Sequence, residues 1–190
     1  MIISLVLTIG VPYTGMANKV LEITDNFEFQ YVGEYLETCG DVEEGYSINE
    51  AVKATTWKTQ NSSKFMIQTS TEYIWMKFTV KNQTNIAQDF SLVLEDPFME
   101  TVQFFSFEKN QLLDTSMIMG TAFPFEQRII QHRFPIYPFQ LTIDQQKTIY
   151  LVLKNDEAFT PIHLSFTTSS FSNLFLREFC EAVMVLPPNT

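Results

Sequence analysis

Glycine, histidine, cysteine and positive charge are all scarce in this 190-residue chain. Only 6 glycines occur, and none belongs to a phosphate-cradling loop or to the G-x-S-x-G turn of a serine hydrolase. The two histidines, His132 and His163, form neither H-x-x-x-H nor H-E-x-x-H, so no zinc ligand set is visible. The two cysteines, Cys39 and Cys180, lack C-x-x-C spacing. They read as unrelated thiols, with a disulfide as the alternative in an exported protein. Twelve Lys and Arg stand against 22 Asp and Glu, giving a net charge of −10. Such a field repels a phosphate backbone and sets nucleic acid aside as a partner. No apolar run reaches the roughly 20 residues of a membrane-spanning helix, and no cofactor motif is present.

What remains is a globular composition, 45% hydrophobic and 18% charged. The length suits one domain with a proper core. Phenylalanine is abundant at 18 copies, and aromatic residues favour pleated, half-buried surfaces, so the composition leans toward β structure. The first seventeen residues, MIISLVLTIGVPYTGMA, hold an apolar run over Ile2–Val11 followed by Gly15 and Ala17, small residues that suit a cut before Asn18. Residues 1–17 therefore read as a signal peptide, although no Lys or Arg precedes the run. A first strand is the alternative.

Alternation of polarity marks the strands. In WMKFTVKN, Met76, Phe78 and Val80 point one way while Trp75, Lys77 and Thr79 point the other. The largest side chain thus shares a face with the lysines, so that face is either covered by another layer or carries a ligand. Extended segments are expected over Ile23–Val32, Phe65–Gln68, Tyr73–Lys81, Phe90–Glu95, Thr101–Phe107, Leu112–Met119, Arg128–Phe134, Leu141–Ile143, Thr148–Lys154 and Pro161–Thr167. Pro135 and Pro138 confine the segment around them to an edge or a corner. Thr148–Lys154 is apolar on both faces and reads as a central strand covered on two sides. Ser47 with Glu50 three residues later is a capping box, which places a short helix over Ile48–Ala54 with Trp57 packed against it. Phe171, Leu174, Phe175 and Phe179 fall at helical spacing after Ser169 and Ser170, predicting a C-terminal helix in a tail over residues 171–190. Short strands at this spacing indicate a sandwich or barrel, with residues 18–170 as the domain.

The order of these pieces resembles the second type of extracellular domain in bacterial seven-transmembrane receptors with diverse intracellular signalling modules. The likeness runs through GEYLETCGDVEEGYSINEAV and Trp57, then WMKFTVKN, LVLEDPFMETVQFF, Gly120 with Arg128, FPIYPFQL, YLVLKND and TPIHLSF. It spans about Ile23 to Thr168. Lys77 stands where the family usually has arginine. The resemblance implies an all-β, jelly-roll-like β-sandwich akin to carbohydrate-binding modules, outside the cytoplasmic membrane or in the periplasm. It implies a sensor for a small molecule, possibly a sugar, and no catalytic residues. A membrane-embedded receptor unit is the expected partner, absent from this chain, and a homodimer is a further option.

A sugar site needs aromatic rings for C–H faces and polar groups for hydroxyls. The candidates are Trp75, Lys77 and Tyr73 on one strand face, and Arg128, His132 and Tyr137 from the proline-bearing edge. The competing expectations are structural. Trp75 would be buried under the Ser47 helix or a neighbouring sheet, with the Lys77 head in water. Arg128 would sit at the surface or in a salt bridge, and His132 and Arg133 would be solvated. Two other functions stay open: an envelope protein–protein interaction module, marked by an apolar surface patch, and a glycan-processing enzyme using two facing carboxylates such as Glu95-Asp96 or Glu43-Glu44. The sequons at Asn61 and Asn82 read as ordinary turns.

Overall fold

A computed structural model describes residues 19–39, 47–68, 73–154 and 159–170. The signal-peptide and C-terminal-helix expectations, Cys180 and Glu43-Glu44 lie outside these residues. The strands in chain order are β1 (Val20–Ile23), β2 (Phe29–Tyr31), β3 (Glu37–Cys39), β4 (Lys58–Thr59), β5 (Phe65–Gln68), β6 (Tyr73–Asn82), β7 (Gln88–Leu94), β8 (Thr101–Glu108), β9 (Gln111–Thr115), β10 (Ile136–Leu141), β11 (Gln146–Lys154), β12 (Phe159–Ile162) and β13 (Leu164–Thr168). One helix, α1 (Ile48–Lys53), precedes β4. No described helix is long and apolar enough to cross a membrane.

The chain is a β-sandwich. The first sheet runs β4-β3-β6-β11-β8-β9, with β1 joining β6 in parallel; the second runs β10-β7-β13-β2. From β6 through β7 to β8, and from β10 to β11, the chain hops between the sheets, which is the jelly-roll path. A small ladder of β5 and β12 stands apart from both. Ile74, Met76, Phe78 and Val80 of β6 and Ile149, Leu151 and Leu153 of β11 meet Phe90, Leu92, Leu94, Leu164 and Phe166 across the sandwich. Phe90 and Phe166 stack at 4.9 Å, and Phe104 and Tyr137 stack at 5.3 Å. Each such ring contributes about 1.5–3 kcal/mol by leaving water.

β11 is central, as its two apolar faces require, and β10 is the edge on which Pro138 is tolerated. The structure departs from the sequence expectation in several places. Ile23–Val32 is broken by a turn at Asp25-Asn26, and its two halves join different sheets. Leu112–Met119 is a strand only to Thr115, with Leu113 bulged out of the ladder. Leu141 ends β10, and Ile143 belongs to the following turn. Pro161–Thr167 is split at His163, so that β12 pairs β5 and β13 enters the second sheet. Arg128–Phe134 is irregular and not a strand.

Asn82 ends β6 fully buried. Its Nδ2 donates to the carbonyls of Ile86 at 2.8 Å, Thr142 at 3.1 Å and Leu141 at 3.3 Å, while Oδ1 accepts from the Thr84 N–H at 2.9 Å and hydroxyl at 2.8 Å. One side chain thus closes the NQT turn and clips it to the end of β10. Buried this deeply, it is turn chemistry rather than a glycan acceptor. Asn82→Ala strands several buried groups, so urea unfolding of the variant should show a loss of about 3 kcal/mol, with Asn82→Asp recovering little because its carboxylate cannot donate to the three carbonyls.

Candidate functional site

The first sheet has two faces, and its outer face decides where a ligand could sit. Cross-strand register sets Trp75 of β6 beside Val152 of β11 and Gln103 of β8, with Tyr73, Lys154 and Thr101 as the next row outward. In the other direction come Lys77, Tyr150 and Phe105. The middle of this face is roofed by α1 and Trp57. Cys39, Ala51, Trp75, Phe105, Phe107 and Tyr150 form a second buried cluster, with Ile48, Val52 and Trp57 packed on it. The capping box forms as expected. Glu50 Oε2 accepts from the Ser47 N–H and hydroxyl, each at 2.7 Å, and these bonds hold the Glu50 carboxyl below its usual range.

Trp75 is 2% exposed and stacked on Phe105 at 5.7 Å. Its ring faces are used in packing, which settles why it shares a face with lysines: that face is covered. The Lys77 head is not in water. Its Nζ lies 3.6 Å from Glu37 Oε2 and 4.5 Å from the centroid of Trp57, a charge held between an anion and a ring face. Glu37 faces Lys77 directly across β3 and β6. Burial, and then the Glu37 charge, raise the Tyr150 phenol above its usual range. The Cys39 thiol is buried in the same cluster, 3.2 Å from the Thr56 hydroxyl.

Tyr137 belongs to the main core, and its hydroxyl donates to Asp114 at 2.8 Å; burial and that bond raise its phenol far above normal. Arg128 and His132 lie apart from β6, in the segment between β9 and β10, and both are buried rather than solvated. The Arg128 guanidinium donates to the carbonyls of His132, Arg133 at 2.9 Å and Gly120 at 3.4 Å. These carbonyls are why the segment is not a strand: a side chain takes the acceptors a ladder would have used. Gly120 has φ of 136°, and a Cβ there would lie 2.1 Å from the Glu100 carbonyl oxygen. His132 Nδ1 accepts from the Phe134 N–H at 3.1 Å. Burial, then the charges of Arg133 and Arg128, push the His132 imidazole below its ordinary pKa.

Of the six candidates, Tyr73 alone lines a described cleft. This cleft, about 410 Å³, opens at the end of the outer face beyond α1, where Tyr73, Gln103, Val152 and Lys154 meet Glu100 and Phe123. Lys154 Nζ donates to Glu100 Oε1 at 2.9 Å. Gln103 Nε2 donates to the Ser116 carbonyl at 3.1 Å, leaving its amide oxygen for other partners. A second cleft, about 480 Å³, lies at the opposite end between the β8–β9 and β10–β11 turns, lined by Glu108, Asn110, Asp144 and Gln146 without an aromatic ring. Gln103, Glu100 and Phe123, which line this cleft, were not among the sequence candidates. The signal for Gln103 was present: it is the polar residue in VQFF that shares the Trp75 face.

A family model described as 7TMR-DISM extracellular 2 matches residues 33–165. The chain belongs to this family. Members are extracellular sensor domains of seven-transmembrane receptors, not catalytic units. No curated protein sequence matches significantly. Among solved structures, the selenomethionine-labelled β-glucosidase from Kluyveromyces marxianus matches 70% of this chain and 14% of its own, at 9% identity and a TM-score of 0.32. The β-glucosidase from Kluyveromyces marxianus in complex with glucose matches 75% of this chain and 15% of its own, at 13% identity and a TM-score of 0.34. The chain therefore spans about one seventh of those enzymes, and the likeness at this level carries nothing about activity.

In this 7TMR-DISM extracellular 2 chain the matched motifs build the frame. Trp75 and Phe78 are packed, Asn82 closes a turn, and Gly120 and Arg128 touch each other. The Glu95-Asp96 pair is likewise occupied: Glu95 Oε2 accepts from the Tyr31 hydroxyl at 3.3 Å, and Asp96 caps the Phe98 N–H at 2.8 Å. The Glu37–Lys77 pair gives a test of the α1 roof. Removing one partner leaves a buried charge, so Glu37→Ala should cost about 3 kcal/mol. Adding Lys77→Met should return most of that loss, read from denaturant unfolding of the four proteins of the cycle.

Proposed function

We propose that this domain senses a small carbohydrate on the periplasmic or extracellular side of the membrane, and that the sugar sits in the Tyr73 cleft. The observation that carries the reading is the composition of that cleft. It puts the Tyr73 and Phe123 rings beside the Gln103 amide and the Glu100–Lys154 pair. Rings accept the C–H face of a pyranose, and an adjacent carboxylate and ammonium accept from and donate to its hydroxyls. Because Lys154 offsets Glu100, the site suits a neutral sugar better than an acidic one, which the net charge of −10 would also repel.

The position fits signalling. β13, the last described strand, runs from Leu164 beside Leu94 to Thr168 beside Phe90, away from the cleft. Family membership supports the sensor role, and the cleft supports the sugar. A protein-docking module is the second reading, favoured by Phe98 and Ile129, which are 81% and 62% exposed.

Thermal unfolding of the full chain against neutral mono- and oligosaccharides tests the first reading. A sugar at a hundredfold excess over its Kd adds about 2.7 kcal/mol. The expected result is a raised midpoint in the parent and none in a folded Tyr73→Ala variant. A panel that never shifts the parent, or a shift that Tyr73→Ala retains, would remove the sugar from this cleft.

A further inference from the structure

The wall of the cleft opposite Tyr73 comes from the segment between β9 and β10, through Ile118, Ala122 and Phe123. This segment is docked on β8 and on the residues just before it, Met99 and Glu100. The Thr121 N–H donates to the Met99 carbonyl at 2.9 Å, and the Ala122 N–H to the Glu100 carbonyl at 3.2 Å. Its return half makes local turns, with the Gln127 and Arg128 N–H groups donating to the Pro124 and Phe125 carbonyls, and two side chains tie it together. Arg128 gathers the carbonyls of Gly120, His132 and Arg133, and the Phe134 N–H donates to His132 Nδ1.

We propose that the segment from residue 116 to 134 is an acid-released wall of the ligand cleft, latched by the bond from the Phe134 N–H to His132 Nδ1. A proton on Nδ1 turns the acceptor into a donor facing another donor, so the bond cannot survive it. The new charge is also badly placed. His132 is 6% exposed, and the charged groups acting on it among the described residues, Arg133 and Arg128, are both positive. The Arg128 guanidinium is buried with carbonyl partners and no carboxylate among the described residues, so it gives no relief. The neighbouring cluster of Val93, Phe134 and Ile136 is apolar. Protonation therefore favours a state in which His132 reaches water, and that state undoes the Arg128 contacts that fold the wall back to Gly120.

The sign follows from the lowered pKa. Above the ordinary imidazole value of 6.5, both closed and open states are neutral at His132 and the wall is fully held. As pH falls below that value the open state binds the proton first, and opening becomes about tenfold easier per pH unit until the closed-state pKa is reached. The link to ligand rests on the cleft reading above; the latch itself does not.

Amide hydrogen exchange and imidazole NMR on the full chain, from pH 7.5 to 5, test it without ligand. After correction for intrinsic exchange rates, the Thr121, Ala122 and Phe134 amides should lose protection in step with His132, while Leu151 in the core keeps its own. His132→Gln should abolish the step, and His163→Gln should leave it in place. Wall amides that stay protected while His132 titrates, or a step that survives in His132→Gln, would overturn the latch. A latch that behaves as expected while no sugar binds at any pH would leave the latch and overturn only its link to the ligand.

Discussion

The constraint on which this structure depends is that the middle of the first sheet carries large apolar side chains on both faces, Met76, Phe78 and Leu151 toward the second sheet and Trp75, Tyr150 and Phe105 away from it. A two-sheet sandwich covers one face only. The other must be covered by something else, and α1 with Trp57 does so over the Trp75–Phe105–Tyr150 rows. The cover is short, six residues of helix, and it cannot span a sheet whose central strand is ten residues long. Toward the Tyr73 end the side chains turn from Trp and Phe to Gln103, Thr101 and Lys154, and among the described residues this end of the face borders the cleft. Cleft and roof are thus two parts of one sheet face.

Much of the frame was legible. Period-two alternation gave β6, β7, β8 and β11 within a residue or two, and the capping box gave α1 because both of its partners lie within one turn of chain. Pro135 and Pro138 pointed to an edge or a corner, and β10 does lie at an edge, but the strand itself falls over Ile136–Leu141, between the two segments expected to be extended. The failures share a cause: a side chain or a sheet change overrode the local pattern. Arg128–Phe134 looks extended in the sequence, yet Arg128 claims carbonyls of His132 and Arg133. Pro161–Thr167 alternates throughout, yet His163 marks the passage from one sheet to another.

The site was harder to read than the fold, for a physical reason. The residues that look most distinctive in the sequence are large, or charged in apolar company, and those are the ones a sandwich needs for its own construction. Trp75 and Tyr137 are rings with no free face. Lys77 is committed to Glu37, a partner forty residues away that no local pattern could assign. The cleft is lined instead by ordinary residues from three strands and a loop. Of the expected set it keeps only Tyr73, which packs at the edge of the roofed cluster.

The central claim is that Trp75 is packed under the roof while Tyr73, half-buried at the edge of the same cluster, lines the cleft. The most direct measurement is denaturant unfolding of Trp75→Ala and Tyr73→Ala side by side, without ligand. Trp75→Ala should lose about 3–5 kcal/mol, the cost of an emptied aromatic site in a packed layer. Tyr73→Ala should lose several-fold less. Equal losses, or a larger loss at Tyr73, would contradict the account, because Tyr73 would then be as much a part of the packed layer as Trp75.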